Sequence, residues 1–247
     1  MARIIYGDVS SFKNMIETLS KIVDEALIKF NSEGMQLKAL DPAHVSLIAI
    51  NIPSSAFDEY DVEEEVKFGF ITSNLMKLMR RAKKGDILVL EILEDRVQLE
   101  FRGPVVKRYI TANLDVAEVE IPESALEFNV QATLIVDPLR NAIKDAEVIG
   151  DTLEIEAENE EELIFRGKGA ESVTETRVSS ESGALIGMTV KSPSRSLYAI
   201  EHLKSIVSLT KVADTVELEF SSEMPLRLSF SLPGEGKVEY LLAPKLE

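Results

Sequence analysis

From Ser73 to Gly85 the apolar residues Leu75, Leu78, Met79 and Ala82 fall at i, i+3, i+4 and i+7, the spacing of one helical face. Lys77, Arg80, Arg81 and Lys84 repeat that spacing two residues later, about 200° around the helix. One side suits a core and the other suits anions. Gly85 marks the helix end, Asp86 opens a new element, and Ile87, Leu88, Val89, Leu90 and Ile92 read as a strand. The pattern returns three more times: Asp24, Asp86, Asp151 and Asp214 each separate an amphipathic helix from an aliphatic strand, at intervals of 62, 65 and 63 residues. Eight residues before each aspartate stands Ile16, Leu78, Ile143 or Ile206. The first helix most resembles the third and the second most resembles the fourth, so a period near 127 residues underlies the shorter one.

Along the chain, residues 1–7 alternate as a short strand, and Ser10 or Ser11 is placed to cap a helix whose core face is Phe12, Met15, Ile16, Leu19, Ile22 and Val23. Its other face carries Lys13 and Lys21 beside Glu17. Strands are expected over 25–30, 35–40 and 45–52, then an acidic loop over 58–65, the basic helix, and strands over 97–102 and 105–112. Residues 113–126 interrupt the rhythm with four acids, Pro122 and the isolated aliphatics Leu114, Val116, Val119 and Ile121, the composition of a connector lying in a surface groove. The second half repeats the order with helices expected at 138–149, following the cap-competent Asp137, and at 194–212. The apolar terminus Tyr240-Leu-Leu-Ala-Pro-Lys-Leu-Glu247 suggests a docked or ligand-facing tail. These elements predict an α+β fold of two similar domains, residues 1–113 and 127–247, joined by 114–126, each with two helices on one face of antiparallel sheet. Because the helices share one place in the repeat, one face should collect Lys77, Arg80, Arg81, Lys84, Arg140, Lys144, Lys204 and Lys211.

Charge refines this picture. The chain of 247 residues carries −16, which opposes generic attraction to phosphate. Its distribution changes that conclusion, because residues 66–85 net +6 and 189–213 net +3, leaving −25 for the rest. The absence of cysteine removes disulfides, thiolate metal sites and cysteine nucleophiles. No apolar run approaches the roughly 20 residues of a spanning helix, and residues 1–8 lack the apolar stretch of a signal peptide, so an intracellular, soluble chain with no membrane partner is expected.

Catalytic chemistry has little to stand on. His44 and His202 lie far apart without metal-ligand neighbours at i+3 or i+4. Glu63-Glu64-Glu65 and Glu160-Glu161-Glu162 read as solvated loops, and Gly167-Lys168-Gly169 lacks phosphate-loop spacing. No enzyme, cofactor or metal is expected.

The segments Leu40-Asp-Pro-Ala-His-Val-Ser-Leu47, Ile121-Pro122, Gly150-Asp151, Met224-Pro225-Leu226 and Leu242-Ala-Pro-Lys-Leu-Glu247 carry a resemblance over the whole length. With them the chain resembles the sliding clamps of DNA replication, proliferating cell nuclear antigen and its archaeal relatives. The resemblance implies three subunits closing into a ring around double-stranded DNA, homo- or heterotrimeric, with Lys13 and the helical cations above facing phosphates without base readout. It implies a subunit interface between residues 105–112 and about 172–180, with Val106, Tyr109, Ile110, Thr174, Thr176 and Val178 as contributors. It implies a pocket made by Leu40, Val45, Leu47, Val119, Ile121, Pro122, Pro225, Leu241, Ala243 and Pro244 for the helical turn of PIP-motif clients such as DNA polymerase, flap endonuclease and DNA ligase, together with a clamp loader. Where many relatives place larger apolar residues, this chain has Leu241 and Val119. The alternative is a non-catalytic scaffold, or a subunit of a heteromeric regulatory clamp, that binds PIP-like peptides.

Overall fold

The computed structural model describes residues 1–119 and 126–245, grouped in two compact units. The first comprises residues 1–44, 48–119 and 231–238 and the second residues 45–47, 126–230 and 239–245.

The first unit runs β1 (Ala2–Tyr6), α1 (Val9–Ile22), β2 (Glu25–Asn31), β3 (Gly34–Leu40), β4 (Ser46–Pro53), β5 (Glu59–Asp61), β6 (Val66–Ile71), α2 (Thr72–Met79), β7 (Ile87–Ile92), β8 (Arg96–Arg102) and β9 (Val106–Ala112). One sheet has the order β5-β1-β7-β8-β9, and β4-β3-β2-β6 lie side by side in the same unit. Helix α1 buries the face expected of it, Phe12, Met15, Ile16, Leu19 and Ile22, with Val23 half-buried at its C-cap. Its cap is Asp8 rather than Ser10 or Ser11: the Asp8 carboxylate accepts the Ser11 N–H at 3.0 Å. Part of the expected acidic loop is strand β5, paired with β1.

Helix α2 is shorter than its pattern suggests. It ends at Met79, and Arg80, Arg81 and Ala82 continue as tight turns whose N–H groups reach Met76, Leu78 and Met79. Asp86, buried, closes the next turn by accepting the Lys83 N–H at 2.9 Å, and Gly85 adopts the positive φ of 86° that this reversal requires. Leu75, Met79 and Ala82 are buried and Leu78 only half so, while Met76 joins the core.

The second unit follows with β10 (Val130–Ile135), α3 (Val136–Ile149), β11 (Thr152–Ala157), β12 (Glu162–Lys168), β13 (Val173–Ser179), β14 (Leu185–Val190), β15 (Ser194–Ala199), α4 (Ile200–Ser205), a 3₁₀ segment Ile206–Lys211, β16 (Thr215–Phe220), β17 (Leu226–Ser231) and β18 (Lys237–Leu242). Strands β13-β12-β11-β15 form one sheet and β14-β10-β16-β17-β18 lie side by side. Two expectations change here. The helix expected over 194–212 starts at Ile200, because Ser194, Ser196 and Tyr198 point inward with the period of a strand and pair with β11. Asp137 stands within the first turn of α3 instead of capping it, and there it bonds Arg140 at 2.6 Å.

The repeated aspartates mark a shared construction. The Asp24 carbonyl, just after α1, accepts the N–H of Thr72 at the start of α2 at 2.9 Å. Asp151 after α3 does the same for Ile200 of α4 at 2.9 Å, and Asp214 holds Val136 of α3 at 3.0 Å. Each bond satisfies an N–H that the helix start leaves open. Within each unit the two helices pack on each other, α1 on α2 and α3 on α4.

The connector begins on the edge of β6. Asn113 accepts the Gly69 N–H at 2.9 Å, Leu114 donates to the Gly69 carbonyl at 2.9 Å, and Glu118 bridges Lys29 and Lys67. Only glycine fits at 69, where a Cβ would lie 2.0 Å from the Leu114 carbonyl oxygen. Ile121 and Pro122 lie outside the described residues. The tail is docked as its composition suggests: Ala243 donates to the Val45 carbonyl at 2.8 Å and Lys245 to the Leu197 carbonyl at 2.7 Å. No helix among the described residues is long and apolar enough to cross a membrane.

Candidate nucleic-acid and partner surfaces

In the first unit the cations of α2 and the turns after it are open. Lys77, Arg80, Arg81 and Lys84 are exposed, because the residues between them, Leu75, Met76, Met79 and Ala82, are taken by the core. Lys77 donates to Asn74 at 3.2 Å, and among the described residues none of these cations has a carboxylate partner. Lys13 on α1 is half-buried, while Lys21 on the same helix is held by Glu17 at 3.3 Å.

The second unit places Arg140 and Lys144 on α3, Lys204 on α4 and Lys211 on the 3₁₀ segment. Here acids intervene. Arg140 is tied to Asp137 and Lys204 to Glu147 at 2.6 Å, whereas Lys144 and Lys211 are exposed without a carboxylate partner among the described residues.

Strands β9 and β13 each end a sheet. On β9, Val106 and Ile110 are exposed, and Tyr109 lies on the other face, its ring 5.7 Å from that of Phe101. On β13 the named residues face inward: Val178 is buried, and Thr174 and Thr176 are half-buried on the side of α3. The exposed set is Val173, Glu175 and Arg177. An apolar cavity of about 250 Å³ opens beside β9, lined by Ile71, Leu75, Thr111 and Leu114 among others.

Opposite the helices, each unit centres on a buried carboxylate. Glu100 accepts from Arg102 and from Arg108 at 2.8 and 3.0 Å, and those two guanidiniums hold its carboxyl below the usual range despite burial. Glu154, 2% exposed, is reached by Lys168, Arg166 and Arg195. Burial alone would raise its carboxyl, and the three cations outweigh that and lower it. Arg166 also bonds Glu156 and Glu175 at 2.6 Å, and Arg177 bonds Glu175 at 2.7 Å and Glu162 at 2.9 Å. Sequence reasoning passed over this network. Its signal was the i, i+2 alternation of Glu154 with Glu156 and of Arg166 with Lys168, which puts each pair on one face of a strand.

Of the residues assigned to a client pocket, Val45, Leu47, Pro225, Leu241, Ala243 and Pro244 belong to the second unit, and every one is half-exposed. Their neighbours Ser46, Tyr240 and Leu242 take the buried positions of the alternating pattern, so Val45, Leu47 and Leu241 form surface rather than core. Leu40 and Val119, also partly exposed, belong to the first unit.

Comparison with known proteins agrees over the whole chain. Residues 1–124 match the family model of the proliferating cell nuclear antigen N-terminal domain and residues 120–245 that of its C-terminal domain. The chain is 42% identical over 245 residues to DNA polymerase sliding clamp 1 of Sulfurisphaera ohwakuensis, and 40% identical over 246 residues to that of Sulfolobus acidocaldarius, with 99% of each chain covered in both cases. The sliding clamp of Thermofilum pendens is 34% identical over the full length of both chains. Among solved structures, PCNA of Thermococcus kodakaraensis superposes with a TM-score of 0.92 at 29% identity, covering 99% of this chain and 100% of that one. A chain of the PCNA2–PCNA3 complex of Sulfolobus tokodaii gives 0.93 at 28% identity with the same coverage. With both family domains matched end to end on this fold, the chain belongs to the proliferating cell nuclear antigen family of DNA sliding clamps.

Proposed function

We propose that three subunits of this kind close head to tail around duplex DNA, with the helices inward, and hold DNA polymerase and other replication and repair proteins at their template. The observation that carries this reading is the open cation set Lys77, Arg80, Arg81 and Lys84 on a chain whose remainder is strongly acidic. Lys13, Arg140, Lys144, Lys204 and Lys211 complete the phosphate-facing set. Such a wall lowers the electrostatic cost of surrounding a polyanion while the acidic remainder discourages binding elsewhere. Contacts of this sort are weak, sensitive to salt and blind to sequence, so retention is topological.

In this reading residues 1–113 and 127–247 are the two domains of a subunit and 114–126 the connection between them. The half-exposed surface of Val45, Leu47, Pro225, Leu241, Ala243 and Pro244, with Leu40, Val119, Ile121 and Pro122, accepts the apolar turn of PIP-motif polymerase, flap endonuclease and ligase. A clamp loader opens the ring, and the clamp itself performs no chemistry and works inside the cell, in cytoplasm or nucleoid. Loaded on a circular primed template, the protein is expected to stay bound and to run off once the circle is cut. Equal retention on cut and closed DNA would favour the second reading, a peptide-binding scaffold or one member of a heteromeric regulatory ring, which the half-exposed apolar surface also suits.

A further inference from the structure

The face of β11, β12 and β15 opposite the helices carries charge of two kinds. Toward Glu162 the acids Glu156, Glu162 and Glu175 are matched by Arg166 and Arg177. At the other end Lys168, Arg195 and Lys245 outnumber their partners Glu154 and Asp151. Glu154 is 2% exposed, so it meets no ligand itself, and it holds Lys168 at 2.6 Å and Arg195 through Nε at 2.8 Å and Nη2 at 2.6 Å. The side chains of these two cations remain 42% and 52% exposed. Each keeps donors to offer: Lys168 gives the carboxylate one N–H of its ammonium, and Nη1 of Arg195 has no acceptor among the described residues. A cation fixed from beneath loses little freedom when a second acceptor arrives from outside. The cluster also continues the half-exposed apolar surface of the second unit. Ala243 is bonded to Val45 on that surface, and two residues on Lys245 donates its N–H to Leu197, which stands directly across from Glu154. Its Nζ reaches Thr152 at 2.7 Å and Asp151 at 3.0 Å, and Thr152 pairs with Lys168 across the strands. The Arg195 N–H in turn donates to Ser222, three residues before Pro225.

We propose that Lys168, Arg195 and Lys245 receive the carboxylates of an acidic stretch in a client peptide, next to the apolar turn that docks on Val45, Leu47, Ala243 and Pro244. This rests on the reading above that the half-exposed apolar surface binds peptides, and it adds residues that choose among them. Charge decides the occupant. On a chain of net charge −16 an acidic segment is repelled by most of the surface and attracted here, so the cluster both places the segment and sets its direction. A basic flank would meet three cations at the same place. A phosphate chain fits less well, because it needs a continuous run of open cations, and here two carboxylates are interleaved with three.

The test titrates the full chain with three fluorescent peptides that share one PIP-type apolar turn: one with neutral flanks, one with a pair of aspartates before the turn and one with the pair after it. One of the acidic peptides should bind about fivefold tighter than the neutral peptide at low salt, and the gain should vanish near about 0.5 M salt. Lys168→Gln with Arg195→Gln should abolish the gain and leave the affinity for the neutral peptide unchanged. Because that variant strips partners from Glu154, Lys245→Gln is measured beside it. It leaves the Glu154 contacts intact and should cut the gain to about twofold. Equal affinity for all three peptides would overturn the acidic stretch while leaving peptide binding intact. Binding of none of them would overturn the reading on which it rests. A gain that survives in both variants would place the carboxylates elsewhere and remove this cluster from the proposal. If short duplex DNA loses affinity in the double variant while the peptides keep theirs, the partner is a phosphate chain and not a peptide.

Discussion

The helices of the two units carry comparable sets of lysine and arginine, yet they leave them in different electrostatic states. Around α2 the cations are open, and around α3 and α4 two of them are tied to Asp137 and Glu147. An exposed ion pair contributes little to stability, so these two acids are poorly explained as braces. Their effect falls on the field instead, because a neutralised arginine displaces fewer counterions from a phosphate chain. Equal numbers of positive residues therefore do not make equal binding faces. In the clamp, the first unit should do most of the holding.

The largest effect should come from reversing Lys77, Arg80 and Arg81 to glutamate. Retention on closed circular DNA is expected to fall on the order of 100-fold, and the salt slope to shrink by about 0.9 for each phosphate no longer neutralised. Retention equal to wild type in a salt titration would break the comparison at its stronger side. Next in size is the fully structural use of charge in the second unit. Glu154→Ala should cost about 2 kcal/mol in denaturant unfolding, discounted because Lys168 and Arg195 remain half in water. Since the Glu154 carboxyl is lowered in the folded chain, its contribution is present above the unfolded value of about 4.3 and is lost as pH falls through the folded value. Glu154→Gln should accordingly flatten the acid limb of stability measured against pH, and an unchanged limb would show the network to be neutral.

Reversal of Lys144 and Lys211 should reduce retention by about tenfold, less than the triple change around α2. The smallest effect, and the most diagnostic, has the opposite sign. Asp137→Asn with Glu147→Gln should raise retention by about two- to threefold, because Arg140 and Lys204 are released toward phosphate. Loss of retention in that variant would mean that the two pairs position their cations for DNA rather than neutralise them.

Much of this was legible in the sequence, because it is written in period and spacing. The inward face of α1, the order of most helices and strands, and the docked terminus follow from local patterns that tertiary packing reinforces. The failures have physical causes. Residues 194–199 read as helix because Ser194, Ser196 and Tyr198 hide a period of two among polar side chains, two of them serines that bury with little apolar signal. On β13 the sequence did not tell which side Thr174, Thr176 and Val178 face, because that is decided by Gly167 and Ala146, which occupy the space beside Thr174. The repeated aspartates were visible as markers, but the task that Asp24, Asp151 and Asp214 share belongs to the carbonyl, which every residue has. Only distances reveal it. Glu154 was missed because strand pairing brings Arg195 to it from 41 residues away, and Glu100 because only the register of β8 with β9 sets Arg108 opposite it.

The carbonyl bonds from Asp24, Asp151 and Asp214 to the helix starts have a consequence for how such a molecule diversifies. They anchor helices through main-chain atoms that mutation does not alter, so the outward side chains of α2 and α3 are free to drift in sign without moving the scaffold beneath them. Gene copies can then acquire distinct grips on the same cargo while keeping an identical frame.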